Sequence, residues 1–95
     1  MSFRLLYHPQ VAAIDLPLID RRVRKQLGKA LLDRLSTNPE SYGRPLRGSL
    51  KGFWKLRFGD YRVIFGVVGK EVWILSIKNR RDVYSELTSR LGWKP

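Results

Sequence analysis

The chain has 95 residues, of which 19 are Lys or Arg and 8 are Asp or Glu, so its formal charge is +11. This length fits a single domain over residues 1–95, and the charge is typical of domains that bind nucleic acid or an acidic protein. The absence of cysteine excludes a disulfide framework or a thiolate zinc site, and one histidine disfavours any protein metal site.

The N-terminal half predicts one strand and two helices. Residues 2–7 form the predicted strand, and a short helix follows Pro9 through Val11–Asp15. Pro17 is expected to open a second helix, since proline is tolerated at the first helical position. Apolar residues recur in that helix at spacings of three and four: Ile19, Val23, Leu27, Ala30, Leu31 and Leu35. Residues 36–39 end the helix, and residues 40–53 are expected to form a loop.

The clearest strand pattern begins at Trp54. Apolar residues at 54, 56 and 58 alternate with Lys55 and Arg57, which predicts a strand with one apolar and one positive face. Gly59 and Asp60 then predict a tight turn into an antiparallel strand that begins at Tyr61.

A second turn at Gly69 and Lys70 leads to a strand over residues 71–77. Asn79 is expected to cap a last helix that buries Val83, Leu87 and Leu91. The predicted order is therefore β-α-α-β-β-β-α, an α+β fold. Its small antiparallel sheet carries the two N-terminal helices on one face, the first strand at an edge and a short C-terminal helix.

Four segments make the chain resemble the RelE/ParE toxin superfamily of bacterial and archaeal toxin–antitoxin systems. Gly-Asp-Tyr-Arg followed by a downstream Arg-x-x-Val-Tyr is the most specific feature. The matching segments are Pro45-Leu46-Arg47-Gly48, Trp54-Lys55-Leu56-Arg57, Gly59-Asp60-Tyr61-Arg62-Val63-Ile64-Phe65 and Arg80-Arg81-Asp82-Val83-Tyr84. The resemblance implies the β-α-α-β-β-β-α fold over nearly the whole chain.

The RelE-like branch consists of metal-independent endoribonucleases, most of which cut mRNA in the ribosomal A site. The 2′-hydroxyl attacks its own phosphodiester, which requires a base, cations for the phosphorane and a proton donor for the leaving oxygen. The resemblance implies a catalytic set of Lys55, Arg57, Arg62, Arg80 and Tyr84. Arg62 and Arg80 are expected to bind the scissile phosphate and Lys55 to be the base, whereas Tyr84 has either a stacking or a hydroxyl role.

The resemblance also implies partners. They are a cognate acidic antitoxin, mRNA and the ribosome; DNA would be met only through an antitoxin complex, and no cofactor or membrane is expected. Six further cations are predicted to bind RNA, although each is also compatible with an ordinary solvated surface: Arg22, Lys25, Arg47, Lys51, Lys78 and Arg81.

Some features depart from the pattern. Lys78 and Asn79 stand where several relatives carry Gly-His, and Phe53 occupies a position that some members fill with lysine. His8 is expected to be a helix cap or surface residue and not a catalyst. Nothing near the N-terminus resembles a signal peptide, which predicts a cytoplasmic protein.

Two other functions stay open. One is a ParE-like inhibitor of DNA gyrase without nuclease activity. The other is a non-catalytic basic RNA-binding domain.

Overall fold

The computed structural model describes residues 2–95, which form a five-stranded mixed sheet of order β1-β5-β4-β3-β2. The strands are β1 (Arg4–Tyr7), β2 (Arg44–Pro45), β3 (Phe53–Phe58), β4 (Tyr61–Val68) and β5 (Glu71–Asn79). The α-helices are α1 (Arg21–Leu35), α2 (Pro39–Tyr42) and α3 (Leu87–Arg90). The predicted α+β class, the antiparallel β3–β4–β5 meander and the edge position of β1 are confirmed. The sheet is not wholly antiparallel as predicted, because β1 lies parallel to β5.

Both faces of the sheet carry apolar clusters. On one face, α1 buries Leu27, Leu31 and Leu35, which recur every fourth residue, against apolar side chains of β3, β4 and β5. On the other face, the C-terminal segment packs Val83 and Leu87 onto the sheet. The cluster on this second face also includes Ile64, Leu75, Leu46, Leu50, Phe53, Leu91 and Trp93.

The start of the second predicted helix was wrong. Leu16–Leu18 forms a 3₁₀ turn after the π-helical turn Val11–Asp15, and α1 begins only at Arg21. The reason is Asp20, whose carboxylate accepts hydrogen bonds from the backbone N–H groups of Arg22 (3.1 Å) and Val23 (3.4 Å). Aspartate is a preferred N-cap because it satisfies such otherwise unpaired donors.

The predicted loop over residues 40–53 was also wrong, since it contains most of α2, the strand β2 and a 3₁₀ turn at Gly48–Leu50. β2 pairs antiparallel with β3 at the edge of the sheet, where Pro45 is tolerated. Gly43 lets this segment approach the core. A Cβ at that position would lie 2.8 Å from Cζ of the buried Phe65 and 3.2 Å from Cβ of Trp54.

The last predicted helix is mostly absent. Residues 80–86 form successive turns, and the Asn79 side-chain oxygen caps a turn by accepting from the Arg81 N–H at 3.1 Å. Glu86 has a φ of +62°, which interrupts helical geometry before α3 begins. The predicted buried positions are nevertheless confirmed for Val83 and Leu87. None of the helices within residues 2–95 is long and apolar enough to cross a membrane.

A buried ion pair between Asp15 and Arg90 holds the C-terminal segment to the sheet. Their exposed fractions are 1% and 0%, and the guanidinium grips the carboxylate at 2.7 and 3.0 Å. Arg90 also donates to Gln10 Oε1, to Glu86 Oε2 and to the Leu75 carbonyl, at 3.0, 3.0 and 3.1 Å. All five guanidinium N–H donors are therefore used, as a buried charge requires.

Asp15 also completes β5 beyond the point where β1 ends. The pairing of β1 with β5 ends at Tyr7, which lies opposite Ile74. Further along β5, the backbone N–H of Ile77 donates to Asp15 Oδ2 at 2.9 Å. Burial raises the pKa of Asp15, but the hydrogen bonds from Arg90 and Ile77 outweigh it and leave the pKa below its usual range. The carboxylate is thus held in its charged form.

We expect Gly43→Ala to lower the free energy of unfolding by about 1–3 kcal/mol, the usual cost of overpacking a filled core. Gly28→Ala is the matched control, because a Cβ there would have no atom within 4 Å apart from its chain neighbours and the adjacent helix backbone, and the site is inside α1. That change should stabilise by up to about 1 kcal/mol through helix propensity. Urea unfolding measures both, and equal effects of the two substitutions would contradict the close approach at Gly43.

Asp15→Asn should lower the free energy of unfolding at neutral pH by about 3–5 kcal/mol, since it removes the fully buried carboxylate that pairs with Arg90 and leaves Glu86, which is half exposed. The native pKa of Asp15 is lowered, so its stabilisation is complete above the unfolded value of about 3.9 and is lost as pH falls through the native pKa. Urea unfolding at several pH values should therefore show a weaker acid dependence for Asp15→Asn. Parallel pH curves for the two proteins would refute the assignment.

Candidate nucleic-acid interface

A groove of about 400 Å³ opens where β2, β3 and β4 meet on the face of the sheet opposite α1. Leu56 and Val63 point to the α1 side, so Lys55, Arg57 and Arg62, which lie next to them along the strands, point to the opposite face. The lining residues are Tyr42, Arg44, Lys55, Arg57 and Arg62, which include four cations and no carboxylate. Their arrangement is suited to a polyanion.

Strand register places these cations side by side. Arg44 lies directly opposite Lys55, and Arg57 lies directly opposite Arg62. Side chains in such pairs share a face with their Cβ atoms about 5 Å apart, and like charges there destabilise the sheet. The groove therefore concentrates positive charge at a cost in stability that a bound anion would offset.

The Arg62 side chain folds over the β3–β4 turn. Its Nη1 donates to the carbonyls of Gly59 and Tyr61, both at 2.9 Å. The φ of +58° at Gly59 builds this turn without strain, as predicted from the Gly-Asp pair. Because these bonds use two of five donors, the guanidinium keeps others for a ligand.

The other two predicted catalytic residues lie outside the groove lining. Arg80 follows β5, and its backbone N–H donates to the Asp60 carbonyl at 2.8 Å, which places it beside the turn contacted by Arg62. Tyr84 lies further along, in the turn segment 80–86, and is 51% exposed. The structure thus groups Lys55, Arg57 and Arg62, and places the backbone of Arg80 next to their turn.

Lys78 and Arg81 are among the residues that line a different cavity of about 550 Å³, between the 3₁₀ turn Leu16–Leu18 and the segment after β5. Lys78 is opposite Arg62, but its ammonium lies 3.2 Å from Asp15 Oδ1 and its side chain is only 11% exposed. The positive charge of Lys78 is therefore paired with a carboxylate inside the protein. Arg81 is exposed at the rim of the same cavity.

The remaining four cations predicted to bind RNA lie on two other surfaces. Arg47 and Lys51 are exposed on either side of the Gly48–Leu50 turn, shortly before β3. Arg22 and Lys25 are exposed near the start of α1. Their contact with RNA stays a prediction.

Two residues of the groove, Tyr42 and Arg44, were not predicted from the sequence. β2 has only two residues, which is too short to show an alternating pattern. Arg44 reaches Lys55 only through strand pairing, so no local signal connects them. The one usable sign is Gly43 between them, which marks a close backbone approach.

His8 is remote from the groove lining and serves as a cap, as predicted. Its Nδ1 accepts the backbone N–H of Gln10 at 3.0 Å, and its ring lies 5.2 Å from that of Trp93. Burial lowers the pKa of His8, and the charge of Arg90 lowers it further while Asp15 opposes the shift. The imidazole is therefore a neutral part of the core.

Comparisons with known proteins agree on a family. A family model described as the ParE toxin of type II toxin–antitoxin systems, parDE, matches residues 4–84. The chain is also 33% identical to the Toxin RelE of Mycobacterium tuberculosis, over 64% of this chain and 66% of that protein. The match therefore spans slightly less than two thirds of the relative's length.

Solved structures of toxins are similar as well. The toxin–antitoxin complex RelBE2 from Mycobacterium tuberculosis has a chain with a TM-score of 0.76 and 24% identity, covering 84% of this chain and 100% of that one. At that identity the likeness shows the fold. A mutant of the E. coli toxin RelE in complex with the antitoxin peptide RelBc has a TM-score of 0.64 and 29% identity, covering 90% and 94%.

Arg57→Gln should raise the urea midpoint of unfolding at low salt, because it removes one of two directly opposed arginines. The gain should vanish near ~1 M salt, where the Debye length is about 3 Å. Arg4→Gln is the control, since it removes the same charge from an exposed arginine that pairs with Glu71. An equal gain from both variants would attribute the effect to net charge alone.

Proposed function

Because the chain belongs to the ParE toxin family of type II toxin–antitoxin systems, we propose that this toxin is a metal-independent endoribonuclease that cuts mRNA at the ribosomal A site and stops translation. The observation that carries the proposal is the groove in which Lys55, Arg57 and Arg62 converge with Arg44 and no carboxylate. A phosphodiester gains negative charge in its transition state, and fixed cations stabilise that charge.

Each residue has a role in the proposed reaction. Lys55 takes the proton of the 2′-hydroxyl, whose oxygen then attacks the adjacent phosphorus. The bond to the 5′-oxygen breaks, that oxygen takes a proton from Tyr84 or from water, and a 2′,3′-cyclic phosphate remains. Arg62 and Arg80 bind the non-bridging oxygens, for which a planar guanidinium is suited, and Arg57 adds positive charge opposite Arg62. Tyr84 either stacks on a base or supplies its hydroxyl near the leaving oxygen.

The proposed dependence on the ribosome is supported by the residue types of the groove lining. Its lining has no histidine or carboxylate to form an acid–base pair, and the only histidine of the chain is a buried cap. A site with weak acid–base groups gains most from a substrate held in the reactive geometry. The ribosome would supply that positioning, and this places the proposed action in the cytoplasm.

The proposed protein partner is an acidic antitoxin. Two of the similar solved structures are a toxin–antitoxin complex and a toxin bound to an antitoxin peptide. A net charge of +11 favours rapid encounter with an acidic chain. The antitoxin would cover the cations of the groove before the toxin reaches ribosomes.

Inhibition of DNA gyrase is the second candidate, because the matching family model is that of ParE. This activity would require binding but no chemistry at the groove. A gyrase supercoiling assay beside the translation assay separates the two functions. Inhibited supercoiling with intact mRNA would support gyrase and refute the nuclease.

In a purified translation system with a defined mRNA, we expect Arg62→Ala and Arg80→Ala each to lower cleavage roughly 10²–10³-fold. Each would remove charge that stabilises the transition state. Primer extension on the recovered mRNA measures the cut.

Arg4→Ala is the matched control, because Arg4 lies on β1 at the opposite edge of the sheet and is mostly exposed. It should cleave like the wild type, and thermal unfolding checks that all variants fold. Full cleavage by both Arg62→Ala and Arg80→Ala would refute the proposed role of these arginines.

A further inference from the structure

Tyr42 places an exposed aromatic ring among the cations of the groove. It is 51% exposed and lines the groove with Arg44, Lys55, Arg57 and Arg62. Tyrosine offers a large flat ring and a polar hydroxyl, and such rings are common where a protein contacts a ligand. An aromatic side chain and four positively charged side chains thus share one open surface.

Two neighbours restrain the Tyr42 ring. The guanidinium carbon of Arg34, on α1, lies 6.0 Å from the centre of the ring, at the outer limit of a cation–π contact. The next residue, Gly43, lies so close to Phe65 and Trp54 that an added Cβ would be 2.8 and 3.2 Å from them. A ring with restricted surroundings loses less entropy when a ligand binds than a freely moving one.

We infer that Tyr42 is a stacking platform for one unpaired base of a single-stranded RNA whose phosphates lie on the cations of the groove. The inference rests on the proposed nuclease function and adds a base-binding position to it. Single-stranded nucleic acid is typically bound by aromatic rings beside a positive channel, since every base has a π-face. The neighbouring Arg44 and Lys55 would bind the flanking phosphates.

An acidic peptide is the competing ligand for the same cations. It would use the positive charge but would gain little from an aromatic ring held in place by Arg34. The ring therefore favours a ligand with both phosphates and planar bases. Removal of the ring should weaken the binding of RNA but should leave the binding of an acidic peptide nearly unchanged.

The test uses binding without cleavage. A short 2′-O-methyl oligoribonucleotide that contains 2-aminopurine cannot be cut, because its nucleophile is blocked, and its fluorescence changes when the base stacks. The wild-type toxin should quench the probe. Tyr42→Ala should weaken binding about tenfold, as loss of one base–aromatic stack does, and Tyr42→Phe should stay within about twofold of the wild type.

Tyr7→Ala is the control, because Tyr7 is also exposed but lies on β1, at the opposite edge of the sheet. It should bind like the wild type, and thermal unfolding checks that every variant folds. Unchanged binding by Tyr42→Ala would overturn the inference. So would a Tyr42→Phe variant as weak as Tyr42→Ala, or a polyglutamate peptide that loses as much affinity as the probe in Tyr42→Ala.

The probe separates this inference from the proposed function. If the toxin cuts no mRNA on ribosomes yet quenches the probe through Tyr42, the nuclease proposal fails and the stacking platform stands. If mRNA is cut at the same positions by the wild type and Tyr42→Ala and both bind the probe equally, the platform fails and the nuclease stands.

Discussion

The buried pair of Asp15 and Arg90 is the interaction on which the arrangement of the molecule depends. It joins three parts of the chain that are far apart in sequence: the π-helical turn, the middle of β5 and the C-terminal segment. Residues 80–86 are turns without a helical ladder of their own, so packing and this pair fix their position. Arg80 is held beside the groove by its backbone hydrogen bond to Asp60, whereas the position of Tyr84 depends on this packing and on the charge pair outside the groove.

The groove shows the opposite use of charge. Asp15 and Arg90 satisfy each other in the interior, whereas Arg44, Lys55, Arg57 and Arg62 face one another at the surface with no carboxylate in the lining. Like charges held close together are typical of functional sites, because the rest of the fold keeps the groups in place. The family assignment identifies a toxin, and this concentration of charge supports the proposal that the toxin acts on RNA.

The parts predicted correctly are those with a local signal. Alternation from Trp54 to Phe58 and the Gly59 turn were enough to predict the hairpin and to put Lys55 and Arg57 on one face. Other features depend on distant contacts. Arg90 was not recognised as buried because its partner Asp15 lies 75 residues away, and the groove edge at Arg44 depends on how Gly43 fits against Phe65. The roles of Arg80 and Tyr84 come from the family resemblance and stay predictions.

The shortness of β2 has a consequence for self-association. An exposed strand edge can pair with another chain, and proteins protect such edges with short strands, proline and positive charge. β2 has all three, since it is two residues long and consists of an arginine and a proline. Two copies meeting along this edge would find few backbone partners and would bring their arginines together. Arg44 lines the groove, and together with Pro45 it also helps to keep this strongly basic toxin from aggregating through the edge of its sheet.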